Sequence, residues 1–169
     1  DNDDIKWNSR VSNIVSEFKK KYPEVAIKYI VNSPNLGSAK TMNVGIDAAS
    51  GELVTFLDDD DIYLPENLEK QVENMLTEAA DFGISDLDLY YEDETLCERR
   101  IRSFITSTEK ADLIRYHLMY HLAGTDTMIF KREYLEKIGK FDPIDIGDEF
   151  YLMFKAIENT AVTSGQYSF

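Results

Sequence analysis

Four consecutive carboxylates, Asp58, Asp59, Asp60 and Asp61, close the stretch G-E-L-V-T-F-L-D-D-D-D-I-Y-L-P at residues 51–65. The apolar run before them (Leu53, Val54, Phe56, Leu57) has the composition of a short strand buried on both faces. Like charges crowded at a strand end repel, and each raises the pKa of its neighbours. A bound cation offsets that cost, and hard carboxylate oxygens select Mg²⁺, Mn²⁺ or Ca²⁺ over softer metals. In open α/β sheets, ligands bind beyond the carboxyl ends of the strands. The stretch therefore reads as a metal-and-ligand edge. A run of Asp also suits a solvated loop, but here the acids abut a buried strand and apolar residues resume at once. An EF-hand fits poorly, because an acidic loop starting at Asp58 would have Tyr63 where the sharp-turn glycine belongs.

Other residues are candidates on spacing alone. Asp148 and Glu149 follow Gly147 at an expected helix start, where an acid is favoured by the helix dipole and also serves as a plain N-cap. His117 and His121 stand i, i+4 on one helix face, as a zinc site would require; without further ligands at matching spacing, packing is the better reading. Trp7, Tyr90 and Tyr91 are available for stacking or for the core. Asp126 is a second acid near a bound acceptor or a solvent-facing strand residue. Arg99, Arg100 and Arg102 are the only concentrated positive charge near the middle of the chain.

The 169 residues, 43% hydrophobic and 30% charged, suffice for one globular domain with a core. A net charge of −14 leaves no basic stripe for a nucleic-acid partner, although a nucleotide held through a metal and backbone amides remains possible. The single Cys97 forms no internal disulfide and fits a reducing compartment. No apolar run approaches the roughly 20 residues of a membrane span. The sequence begins D-N-D-D, as expected of a piece of a longer protein.

These residues must be positioned by strand–helix alternation. Residues 1–9 read as a loop, and Val11, Ile14, Val15 and Phe18 trace a helix of about three turns ending in three lysines. Residues 25–31 alternate as a strand, and N-S-P-N-L-G-S is a loop tolerant of positive φ. A helix is expected over 38–50, capped by Ser38 and Gly51. A strand at 52–57 precedes a helix at 65–80 opened by Pro65. Residues 82–91 read as one strand, and 92–106 as a charged edge strand with its turn. Thr106 and Glu109 have capping-box spacing for a helix to Leu122. A strand at 125–131, a short helix at 133–138, a loop at 141–147 and a helix at 148–159 follow, and the last ten residues show no pattern. The alternation predicts an α/β sandwich with a mainly parallel sheet.

Taken together, three ordered blocks resemble a family 2 glycosyltransferase with the GT-A fold, the Rossmann-like three-layer sandwich of nucleotide-diphospho-sugar transferases. They are N35-L-G-S-A-K-T-M-N43-V-G45, the strand ending in D58-D-D60-D61, and G147-D148-E149 before a helix; T-D-T-M-I-F-K-R at 125–132 resembles the stretch shaping the acceptor side. The chain lacks the family's opening strand–helix–strand, has Thr41-Met42 where Ala-Arg is frequent, and shows no later metal-binding histidine.

The resemblance implies one catalytic domain over 1–169, as a partial domain with a nucleotide and metal half at 1–91 and an acceptor half at 92–169. It implies an inverting hexosyl transfer from a nucleotide-diphosphate sugar, a UDP-sugar foremost, to a hydroxyl of a glycan or lipid-linked acceptor in polysaccharide or cell-envelope synthesis. Mn²⁺ or Mg²⁺ would be held by Asp60, Asp58 and Asp61. Asn35, Gly37, Lys40, Asn43, Asp58 and Asp59 would meet the nucleotide, and Asp148 would be the general base with Glu149 as substitute. The setting implied is cytoplasmic, at the inner membrane face through segments outside this sequence. A non-catalytic sugar-binding module and a nucleotidyltransferase on a related fold are the alternatives.

Overall fold

Strand β5 (Met128–Lys131) is the middle of a three-stranded sheet, flanked by β1 (Leu53–Thr55) on one side and β2 (Phe82–Ile84) on the other. The computed structural model describes residues 3–144 and 146–160. Met128 and Phe130 are fully buried and Ile129 nearly so, as expected of a central strand covered on both faces. Helices α3 (Asn67–Thr77) and α5 (Arg132–Lys137) pack on β2 and β5. Helix α6 (Asp148–Asn159) lies against α4 (Lys110–Tyr120) and contributes Leu152, Met153, Ala156 and Ile157 to the core. Phe82 joins Phe130 at 6.1 Å between ring centroids and stacks on Tyr134 at 6.4 Å. Emptying such a position, as in Phe130→Ala, costs about 3–5 kcal/mol.

Both ladders of this sheet are antiparallel, so the mainly parallel sheet expected from the sequence is not what the described residues form. Because β1 and β2 each oppose β5, they point the same way, and the β1–α3–β2 alternation is intact. The antiparallel insertion of β5 between them comes from a segment 73 residues beyond β1 at the Thr55–Met128 bond, which strand–helix alternation cannot reveal.

Other boundaries shift for local reasons. Helix α1 (Ile5–Lys21) starts inside the expected N-terminal loop because the Asp4 carboxylate accepts from the N–H groups of Lys6 (2.8 Å) and Trp7 (3.3 Å). It buries no residue; Ile14 and Phe18 stay about half exposed. The alternating segment 25–31 forms no ladder among the described residues; Tyr29 instead donates to Asn8 O at 3.2 Å and Lys28 Nζ to Ala48 O. In α2 (Ser38–Ala48), Gly37 rather than Ser38 is the N-cap, and Ala49 rather than a glycine closes the end. Pro65 stands before α3, not inside it. The expected strand at 82–91 divides into β2 and β3 (Leu87–Tyr90), which pairs with β4 (Leu96–Arg100) in a separate hairpin. The Thr106–Glu109 capping box does not form; Glu109 is the N-cap and its N–H donates to Ser107 Oγ. The first three residues of the expected strand at 125–131 form a 3-10 turn. Helix α6 has the expected bounds. The unpatterned C-terminal stretch lies, apart from Thr160, outside the described residues.

Candidate active site at the ends of strands β1 and β5

The acidic run is aimed by anchors at the end of β1. Thr55 Oγ1 donates to Met128 O across the ladder at 2.8 Å and lies 2.7 Å from the Tyr63 hydroxyl, which in turn donates to Phe56 O. Residues 57–62 are thus a loop fastened at both ends to the strand it leaves. On the facing side, Asp126 sits in the 3-10 turn Thr125–Thr127, and the buried Thr127 ties that turn by accepting from Gly124 N–H (3.0 Å) and donating to Gly124 O (2.8 Å).

Continuing the β1–β5 register past Thr55 and Ile129 brings Asp58 opposite Asp126. There the Asp58 N–H donates to Asp126 Oδ1 at 2.6 Å, and Asp61 N–H returns to Asp58 O at 3.3 Å. One carboxylate oxygen each from Asp58, Asp61 and Asp126 fall within 4.8 Å of one another. The electrostatics follow from this crowding. Burial, then the charges of Asp126, Asp60, Asp59 and Asp148, pushes the Asp58 carboxyl above the usual carboxylate range. A hydrogen bond with Asp126, reinforced by burial and by neighbouring charge, pushes Asp61 up to about 6. Three hard oxygens drawn this close suit a hard divalent cation, which on binding would displace any proton held by Asp61.

Of the expected ligands, Asp58 and Asp61 stand in the trio together with Asp126, while Asp59 and Asp60, like Asp61, are exposed and do not share its three oxygens. Asp60 still contributes charge to both Asp58 and Asp61. The signal for Asp126 in the sequence was its place two residues before an apolar strand; its partner could not be read without the register.

Asp148 and Glu149 open α6, after Gly147 at φ 76° in the left-handed region. Asp148 is near enough to Asp58 for its charge to add to the rise there, which brings the second acidic block to the first. Its Oδ1 accepts from Glu149 N–H at 3.1 Å, while Glu149 Oε1 lies 3.5 Å from His121 Nε2. The buried His117 uses both ring nitrogens, one toward Leu122 N–H and one toward Phe150 O, so no lone pair is left for the zinc site its spacing with His121 suggested.

In the first block, Asn35 Oδ1 accepts from Gly37 N–H at 2.9 Å, and Gly37 takes φ 80° at the start of α2 with open space where a Cβ would stand. Lys40 is exposed. The Asn43 amide clamps the Phe141 backbone, donating to Phe141 O (2.9 Å) and accepting from Phe141 N–H (3.0 Å). It joins α2 to the segment after α5 and keeps a second N–H for a further partner. In the arginine triplet, Arg99 pairs with Asp88 and Arg100 with Glu98, while Arg102 is buried, its backbone N–H donating to Asp86 and its guanidinium Nε meeting no hydrogen-bond acceptor among the described residues.

Comparison with known proteins places the chain in a family. The profile of Glycosyl transferase family 2 matches residues 3–139. An "Uncharacterized glycosyltransferase" of Methanocaldococcus jannaschii is 30% identical over 80% of this chain and 45% of its own length. The similarly described YwdF of Bacillus subtilis is 30% identical over 73% of this chain and 45% of its own. The succinoglycan biosynthesis protein ExoO of Rhizobium meliloti is 28% identical over 80% of this chain and 41% of its own. The chain spans less than half the length of these relatives.

Proposed function

The chain belongs to glycosyl transferase family 2, and from that premise we propose that it is the metal-dependent catalytic part of an inverting glycosyltransferase. It moves a sugar from a nucleotide-diphosphate sugar to an acceptor hydroxyl. The observation that carries this is the trio Asp58, Asp61 and Asp126, drawn together from two antiparallel strand ends, with Asp148 in electrostatic range. Asp58, Asp61 and Asp126 would hold Mn²⁺ or Mg²⁺, which when bound would supply Lewis-acid charge to the departing diphosphate. Asp59 and Asp60 add negative potential that favours the metal. Asn35, Gly37 and Lys40 line the donor side, where the glycine lets backbone approach a phosphate closely.

Asp148 takes the proton of the acceptor hydroxyl as general base, on the face of the sugar away from the leaving group. Its place in the first turn of α6 sets the positive end of the helix dipole beside the carboxylate. Glu149 is the weaker candidate because His121 occupies it. The donor half is 1–91 and the acceptor half 92–169. The likeness to the succinoglycan biosynthesis protein favours polysaccharide synthesis, and family membership adds to the proposal a glycan or lipid-linked acceptor, a UDP-sugar donor and a cytoplasmic site. Among the described residues no helix is long and apolar enough to cross a membrane.

The test is calorimetric titration of the full chain with Mn²⁺ and UDP, GDP or dTDP, repeated with Asp126→Asn. Metal-dependent binding of one nucleotide, lost in the variant, is the expected result. Wild-type binding by the variant, or binding that ignores the metal, would overturn it.

A further inference from the structure

Helix α4 ends on a left-handed residue, His121 (φ 48°), whose N–H returns to His117 O at 2.9 Å. The next residue, Leu122, then points its N–H at His117 Nδ1, 3.2 Å away. An acceptor at Nδ1 requires the proton on Nε2 in the neutral ring. That Nε2–H donates to Phe150 O at 2.9 Å, in the first turn of α6. The same imidazole stacks on the Phe150 ring at 4.1 Å, and His121 meets that ring edge-on at 5.1 Å. One buried side chain thus closes α4 and fastens the turn that carries Asp148 and Glu149. One helical turn further along, His121 Nε2 stands 3.5 Å from Glu149 Oε1.

We propose that His117 is a positioning residue for this acid pair. It holds the first turn of α6 in place, while His121 draws Glu149 aside and leaves Asp148 as the carboxylate that faces the substrate. This rests on Asp148 being the base of the proposed transfer. Its physical sense is that proton abstraction tolerates little misplacement of the base, since displacements near 1 Å cost about 100-fold in rate.

Two substitutions separate the link from the cap. In His117→Gln the amide nitrogen reaches the Nε2 position and keeps the bond to Phe150 O. In His117→Asn the amide oxygen serves Leu122 N–H, but the side chain is too short to reach α6. The first readout is hydrogen exchange of the Tyr151 amide in the full chain, which donates to Gly147 O at 3.1 Å in the turn concerned. Exchange should be about 10-fold faster in His117→Asn and within about 3-fold of the unaltered chain in His117→Gln. Equal exchange in all three overturns the proposal whether or not the protein is a transferase.

The second readout is Mn²⁺-dependent hydrolysis of a UDP-sugar. His117→Asn should lower kcat about 10-fold at unchanged donor KM, with His117→Gln restoring it. Equal loss in both variants, or a change confined to KM, overturns the positioning role. His121→Ala, at a half-exposed position that does not threaten folding, should lower kcat about 3-fold; an unchanged kcat removes His121 from the arrangement. Failure of the unaltered chain to bind any nucleotide with Mn²⁺ would instead overturn the transferase reading, and Tyr151 exchange would still decide the role of His117.

Discussion

Two groups of acidic residues in this molecule are treated in opposite ways. In the β3–β4 hairpin, Asp88 receives two parallel bonds from Arg99, both at 2.7 Å, and its carboxyl is held below the usual range by that partner. At the ends of β1 and β5, Asp58, Asp61 and Asp126 meet only one another, and Asp58 and Asp61 are pushed up. Among the described residues no ion pair reaches any of the three. The hairpin is a solved electrostatic problem on the surface. The strand ends are an unsolved one, held in place by ladder and turn bonds.

The largest effect expected from this contrast is catalytic. Asp148→Asn should lower turnover of the full protein by about 1,000-fold while nucleotide and Mn²⁺ binding persist, whereas Asp88→Asn should leave turnover within about 2-fold. Steady-state kinetics with a UDP-sugar distinguish them, and equal effects would erase the distinction between the two regions.

Next in size is the metal itself. Asp126→Asn keeps an oxygen to accept from Asp58 N–H but loses the charge, so Mn²⁺ affinity should fall about 100-fold. Asp60→Ala should cost about 10-fold, because Asp60 acts through its field rather than in the trio. Calorimetry that ranks Asp60 above Asp126 would restore the ligand set expected from the sequence.

A smaller effect appears in stability. The folded state keeps a proton on Asp61 up to about pH 6, where the unfolded chain releases it near its ordinary value of 3.8. The folded state therefore binds more protons in that interval, and this group's contribution to stability is lost as pH rises through it. Asp61→Asn should flatten that decline between about pH 4 and 6 in thermal melts, and Mn²⁺ should raise Tm more at pH 7.5 than at pH 5. His117 acts oppositely: burial holds it below the ordinary histidine value of 6.5, so its contribution is lost as pH falls below that value. The smallest effect is in the hairpin, where Arg99→Ala should move Tm by no more than about 2 °C. A larger shift would mean that the hairpin pair is structural.

Much of this was legible from residue order. Helix α6, the loop at Gly37, the β4 edge strand and the acids closing β1 all follow from local patterns. What was not legible has one form. Residues 25–31 alternate like a strand, yet a strand exists only with a neighbour to complete its ladder. Asn43 reads as part of the nucleotide loop, and its bonds to the Phe141 backbone, 98 positions away, appear only in the folded chain.

By itself, then, the sequence determined the family, the helix faces, and the delivery of four carboxylates to a strand end, because hydrophobic period, capping and charge runs are properties of near neighbours. Only the tertiary structure decided which acids meet. Asp126 lies 68 residues from Asp58, and the two face each other because β5 enters antiparallel between β1 and β2 in one register. Likewise, Glu149 is drawn away from Asp148 because α4 ends beside the first turn of α6. A register is fixed by what two distant segments bury together, and no window along the chain contains both of them.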